Sequence, residues 1–212
     1  MHSRILLADD HVVVLEGLRR ILDRPEFEIV GAVKDGRALI DAAADLRPDV
    51  VIADVSMPSL NGVEAVRQIR KQGVKSKIIF LTMHPEAIYA VEAMNAGASG
   101  YVLKNEAGDE LITAIREVLH GRTYVTPSLA EPVTHALQAR RKNAQGTADR
   151  LTARQREVLQ LLAEGRTPKE IAAVLNVSYR TVEFHKYRIM ETLGLRTIPE
   201  LAVYAVKTGL VA

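Results

Sequence analysis

The chain has 212 residues, 48% hydrophobic and 25% charged, with a net charge of +2 and no cysteine, as expected of a globular chain of one or two domains. Without cysteine there is no disulfide, thiolate zinc site or cysteine nucleophile, in keeping with a reducing, cytoplasmic setting. No apolar run approaches the ~18 residues of a membrane span, and Asp9-Asp10 follows the first apolar run too soon for a secretory signal, so no membrane partner is expected.

Up to about Tyr124, short apolar runs alternate with helical patterns. Ile5 to Ala8 reads as a first strand, and Leu15, Leu18 and Leu22 mark a helix ending near Pro25. Phe27 to Val33 is a second strand, and Ala38 to Leu46 a second helix. Val50 to Asp54 is a third strand, apolar on both faces as in a parallel sheet. Asn61-Gly62 opens a helix with Val63, Val66 and Ile69. Lys77 to Leu81 is a fourth strand, and Pro85 starts a helix through Met94. Ser99 to Leu103 is a fifth strand, and a helix with Leu111, Ile112, Ile115 and Leu119 stops at Gly121. Five βα units with right-handed crossovers predict an α/β, flavodoxin-like (βα)5 domain over residues 1–125, with parallel sheet order 2-1-3-4-5.

In that order the C-terminal ends of neighbouring strands converge. The first carries Asp9 and Asp10, the third Asp54, the fourth Thr82, and Lys104 follows the fifth. Ligands bind at this lip in open α/β sheets. Three carboxylates in one cavity repel unless a cation sits among them, and all-oxygen ligands favour Mg²⁺ or Mn²⁺. A carboxylate, a metal, a lysine and a threonine hydroxyl together suit a phosphoryl group, with Asp54 as nucleophile.

These residues carry a resemblance. Ala8-Asp9-Asp10-His11, Asp54-Val55-Ser56-Met57-Pro58, Leu81-Thr82, Ala96 to Tyr101 and Leu103-Lys104 resemble the CheY-like receiver domain of two-component response regulators. The resemblance implies that Asp54 accepts phosphate from a sensor histidine kinase. It also implies that Asp10, Asp54 and the Ser56 carbonyl hold Mg²⁺, with Asp9 acting mainly through water, and that Thr82 and Tyr101 form a switch pair. His11 is expected to be structural, and no role is assigned to His84.

Residues 126–150 read as a linker, broken by Pro127, Pro132 and Gly146, with a short helix possible over Thr134 to Lys142. Residues 151–212 are predicted all-α, with four helices. Thr152…Gln155 and Thr167-Pro168-Lys169-Glu170 are capping boxes, Ser178 caps a third helix, and Ile198 to Lys207 forms a fourth. Two short-linked helices in this order signal a helix-turn-helix. Charge divides along the same boundaries. Residues 1–125 carry 15 Lys/Arg against 18 Asp/Glu, and residues 151–212 carry 9 against 6, so different partners are expected for the two ends.

On the third of these helices, Val182, Ile189 and Leu193 face the core. Arg180, Glu183, Phe184, Tyr187 and Glu191 form the opposite stripe, flanked by Thr181, His185, Lys186 and Arg188. That mix suits base edges and thymine methyls in a major groove, with phosphates at the flanks. Leu151-Thr152, Arg156 to Leu159, Lys169 to Ala172, Thr181-Val182, His185 and Leu193-Gly194-Leu195 resemble the LuxR-type helix-turn-helix of NarL/FixJ regulators. Departures occur at Pro168, Glu183, Thr192, Phe184 and Tyr187. The resemblance implies double-stranded DNA as partner, with Thr167, Lys169, Arg180, Thr181, Glu183, Phe184, His185, Lys186, Tyr187 and Arg188 at the interface. It implies a homodimer formed through the last helix, reading half-sites about 34 Å apart.

The function expected is a transcriptional regulator switched by phosphorylation of Asp54. One alternative is a phosphorylation-independent regulator whose receiver is a dimerisation module. A metal-dependent phosphatase is the other rival, but it needs a second Asp where Ser56 stands. No turnover enzyme is expected.

Overall fold

The computed structural model describes residues 2–142 and 151–211. The chain divides into two compact units, Met1–Leu137 and Gln138–Ala212.

In the first unit the strands are β1 (Ser3–Ala8), β2 (Phe27–Val33), β3 (Val50–Ala53), β4 (Lys77–Thr82), β5 (Gly100–Leu103) and β6 (Tyr124–Val125). Helices α1 (Val12–Ile21), α2 (Gly36–Leu46), α3 (Gly62–Lys71), α4 (Ala87–Asn95) and α5 (Ala107–Leu119) alternate with them. The sheet order is β2-β1-β3-β4-β5-β6, all parallel. The expected 2-1-3-4-5 is present, extended by one strand. Alternation along each strand splits the core. Leu6, Val51, Ala53, Ile78, Phe80 and Tyr101 pack with α2, α3 and α4 on one face. Ile5, Leu7, Val50, Ile52, Ile79 and Val102 pack with α1 and α5 on the other.

The expectation of a linker from residue 126 is corrected over its first part. β6 pairs with β5, and α6 spans Pro127–Lys142, longer than the short helix read from Thr134. Leu129 and Val133 are 5% and 3% exposed and belong to the core cluster that holds Tyr89, Tyr101 and Leu103. The buried Thr126 hydroxyl accepts from the Leu103 amide and donates to the Tyr101 carbonyl. Pro127 opens the helix, where a missing N–H costs nothing. Pro132 removes only one intrahelical donor, and apolar burial on both sides of it offsets that loss. The rest of the expected linker, 143–150, lies outside the described residues. One consequence is testable: Leu129→Ala should destabilise the receiver unit by about 3 kcal/mol through cavity formation. A fragment ending at Val125 should melt below one ending at residue 138. Equal melting temperatures for the two fragments would return this segment to linker status.

The second unit is helical: α7 (Ala153–Ala163), α8 (Pro168–Val174), α9 (Tyr179–Leu193) and α10 (Ile198–Lys207). Thr152, Thr167 and Thr197 each form a capping box, and Ser178 accepts from the Thr181 amide at the start of α9. Between α8 and α9, Asn176 takes φ 49°, a left-handed conformation that Asn tolerates better than most residues. Leu159, Leu161, Ile171, Val182, Ile189 and Leu201 form the core.

Candidate functional site

Register delivers the acidic residues to one end of the sheet. Ala8 pairs with Ala53, and Ala53 with Phe80, so Asp9 and Asp54 leave adjacent strands side by side. The Asp54 amide donates to the Ala8 carbonyl at 2.8 Å, which ties the two strand ends together. Thr82 and Leu103 pair on the next two strands, and a 3₁₀ turn, Lys104–Glu106, follows.

The Lys104 ammonium lies 2.6 Å from Asp54 Oδ2 and 2.7 Å from Asp9 Oδ2. Asp9 and Asp54 are buried, and Lys104 is nearly so. Burial raises the Asp54 carboxyl above its usual range. Lys104 pulls it back down, and the neighbouring Asp9 adds to the rise. Burial acts against the Lys104 charge, yet hydrogen bonds and attraction from Asp54 and Asp9 outweigh it and raise its pKa. One ammonium thus faces two carboxylates, with Asp10 beside them.

Asp9, Asp10, His11 and Asp54 each offer a ligand atom, and these atoms all lie within 4.8 Å of one another. Asp10 Oδ1 is buried and makes no well-formed hydrogen bond, although His11 Nδ1 stands 2.9 Å away. An acceptor left in this state, amid more negative charge than Lys104 offsets, fits a divalent cation bound by oxygen. His11 was expected to be structural; its ring stands at the rim of this cluster, 3.2 Å from Asp9 Oδ1.

Thr82 is buried, and its hydroxyl accepts from the His84 amide at 3.3 Å. Tyr101 is fully buried, and its hydroxyl donates to the His84 carbonyl at 2.9 Å. Burial raises the Tyr101 pKa far beyond its ordinary value, so the phenol keeps that proton. Ser56 Oγ lies 2.9 Å from His84 Nε2, and the imidazole stacks on Tyr89 with ring centroids 4.4 Å apart. His84 therefore joins Ser56, Thr82 and Tyr101, a role no pattern in the sequence pointed to. Its spacing two residues after the strand-end Thr82 was the one available clue.

In the second unit, Thr167 spends its hydroxyl on capping α8, where it bonds Glu170. Lys169 and Arg180 are exposed, and the Thr181 hydroxyl pairs with that of Ser178 at 2.8 Å. Phe184 and Tyr187 are 59% and 65% exposed. Glu183 pairs with Lys186 at 2.8 Å and Arg188 with Glu191 at 2.6 Å. Burial and the nearby Arg154 lower the His185 pKa. Val182 and Ile189 are buried as expected, and Leu193 packs against them only in part.

Comparisons with known proteins agree with this division. Residues 5–116 match the response regulator receiver domain family, and residues 149–205 match the luxR family of bacterial regulatory proteins. The oxygen regulatory protein NreC of Staphylococcus carnosus is 38% identical over 213 residues, covering 98% of each chain. Among solved structures, the RcsB response regulator of Salmonella typhimurium is 30% identical, with TM-score 0.66 and 98% of both chains covered. A structure described as an RcsB–DNA complex is 29% identical, with TM-score 0.60, and covers 98% of this chain and 99% of that one.

Proposed function

Since the chain belongs to the response regulators that join a receiver domain to a LuxR-type DNA-binding domain, we propose that Asp54 is its phosphoacceptor and α9 its recognition helix. It is a two-component response regulator and a DNA-binding transcription regulator. The observation that carries the Asp54 reading is the Lys104 ammonium held between the Asp54 and Asp9 carboxylates.

Asp54 attacks the phosphorus of a sensor kinase's phosphohistidine. The P–N bond breaks, and an acyl phosphate forms on Asp54. Lys104 is placed to follow the charge onto the phosphoryl oxygens. Asp10, Asp54 and the Ser56 carbonyl would hold Mg²⁺ or Mn²⁺, with Asp9 acting through water; the cation supplies charge neutralisation around the transferring group. Thr82 would release the His84 amide and donate to a phosphoryl oxygen. Tyr101, tied to the His84 carbonyl, would feel that change through one residue. Leu129 and Val133 share its core cluster, and this gives the switch a path into α6. The chain is not a turnover enzyme on this reading. It acts in the cytoplasm, and it binds double-stranded DNA as a homodimer; no helix among the described residues is long and apolar enough to cross a membrane.

The test is Mg²⁺-dependent labelling of the full chain with acetyl phosphate, followed by DNA binding with and without the label. For the second unit, Lys186→Ala and Arg188→Ala should each weaken binding across all sequences and reduce the salt slope by about 1. A slope that does not move in either variant would remove those two residues from the phosphate contacts.

A further inference from the structure

The central two turns of α9 carry an unusual trio for a surface that meets a polyanion. Glu183, Phe184 and Tyr187 lie at i, i+1 and i+4, so they share one face. Phe184 and Tyr187 are both more than half exposed, and neither belongs to the core of its unit. Two solvated rings on a helix whose other face is fully used mark a contact surface rather than a packing surface. The occupant is set by the flanks. Lys186 and Arg188 flank the trio, with Arg180 one turn before it on the same face, and this suits a phosphate backbone on either side of a groove.

Glu183 is then the informative residue. A carboxylate repels phosphates; one oxygen of Glu183 is taken by Lys186, and the other, on the face shared with the two rings, is matched by a base edge that offers hydrogen to it. In the major groove, cytosine presents its N4 amino group beside a C–H, whereas adenine presents N6 beside the N7 acceptor. A group that only accepts is matched by the first and partly repelled by the second. Lys186, 2.8 Å from Glu183, holds that carboxylate in place and offsets part of its repulsion from the phosphates that Lys186 itself faces. Glutamate therefore matches a C·G pair through its cytosine. The two rings offer apolar surface and no bidentate hydrogen bonding, and what they match in the major groove is the C5 methyl of thymine.

We infer that this chain selects a pyrimidine-rich half-site: a cytosine read by Glu183, flanked by thymines whose methyl groups pack on Phe184 and Tyr187. The inference rests on α9 being the recognition helix and deepens that reading by naming its bases.

The experiment is selection from a library of random duplexes by the full-length, acetyl-phosphate-treated chain, followed by two substitutions in the winning sequence. An enriched half-site with adjacent cytosine and thymine is expected. Replacing thymine by uracil removes only the methyl group; it should lower affinity several-fold for the native chain and have no effect at one of those positions in Phe184→Ala. Glu183→Gln should exchange cytosine for adenine at one position with a swing of roughly tenfold, because glutamine both donates and accepts. Neither Glu183 nor Phe184 belongs to the core of its unit, so an unchanged melting curve of each variant serves as the folding control. Uracil tolerated everywhere, or a base preference that Glu183→Gln leaves in place, overturns the inference while α9 remains the reader. Absence of any enriched sequence overturns the recognition-helix reading itself.

Discussion

Asp54→Asn should abolish acyl-phosphate labelling while leaving the receiver folded. A carboxamide keeps the shape of the side chain but has no anionic oxygen to attack phosphorus. Loss of the nucleophile therefore removes the covalent step altogether, whereas loss of a hydrogen bond would only slow it. The fold should tolerate the change because the Asp54 carboxylate is costly where it stands. Burial and the adjacent Asp9 both work against its charge. In the variant, Lys104 keeps Asp9 at 2.7 Å as its partner, a one-to-one pair in place of one cation facing two anions. The melting temperature should stay level or rise by an amount on the order of 1 kcal/mol in stability. Label and melting are to be measured together, with and without Mg²⁺. The native chain should label only with the cation present, since Lys104 alone cannot offset three carboxylates. Label that persists on Asp54→Asn would move the acceptor to Asp9 or Asp10. Loss of label together with loss of fold would leave the assignment resting on Lys104→Met, which should also slow labelling.

Much of this site was legible in the chain because the strands announce themselves independently of the chemistry. Val50 to Ala53 reads as buried strand whatever follows it, and the same holds for Ile5 to Ala8 and for the run ending at Thr82. Once the order is taken as the flavodoxin-like one natural for five βα units of this size, the polar residues after each run share an edge. The helical unit was legible for another reason: Thr152, Thr167 and Ser178 each sit three residues before an amide they cap, which is a local signal.

Three things did not show. β6 has two residues, too few for a period. The part of α6 before Thr134 was hidden by its prolines. Pro127 and Pro132 read as breakers, yet one sits where the helix starts and the other is outweighed by Leu129 and Val133, whose burial is a tertiary fact. The web around His84 joins the loops after β3 and β4 to β5 and α4, and no pattern in one dimension records that Ser56, 28 residues away, reaches its imidazole.

Gly62→Ala should be the most damaging single-methyl change in the receiver unit. A Cβ at this position would stand 2.0 Å from the Asp54 carbonyl oxygen and 3.0 Å from Phe80 Cε1. The first neighbour is backbone and cannot rotate away. The Gly62 amide also donates to the Val55 carbonyl at 2.8 Å, so α3 is clamped against the loop that begins at Asp54. Relief requires the start of α3 and that loop to part by about 1.5 Å, to ordinary contact distance. Overpacking of this kind costs about 1–3 kcal/mol, and more where backbone must move. The chemistry should suffer more than the fold. The loop carries both Asp54 and the Ser56 carbonyl, and a 1 Å displacement of reacting groups costs roughly 100-fold in rate. Gly73→Ala is the matched control. Gly73 has φ +78° with nothing within 4 Å of an added Cβ, so alanine there costs backbone strain of about 1–2 kcal/mol far from the acidic cluster. With both variants assayed well below their melting temperatures, acetyl-phosphate labelling should be normal for Gly73→Ala and about 100-fold slower for Gly62→Ala. Equal labelling rates would mean that the loop after β3 yields without moving Asp54, and the tight seat assigned to that carboxylate would have to be given up.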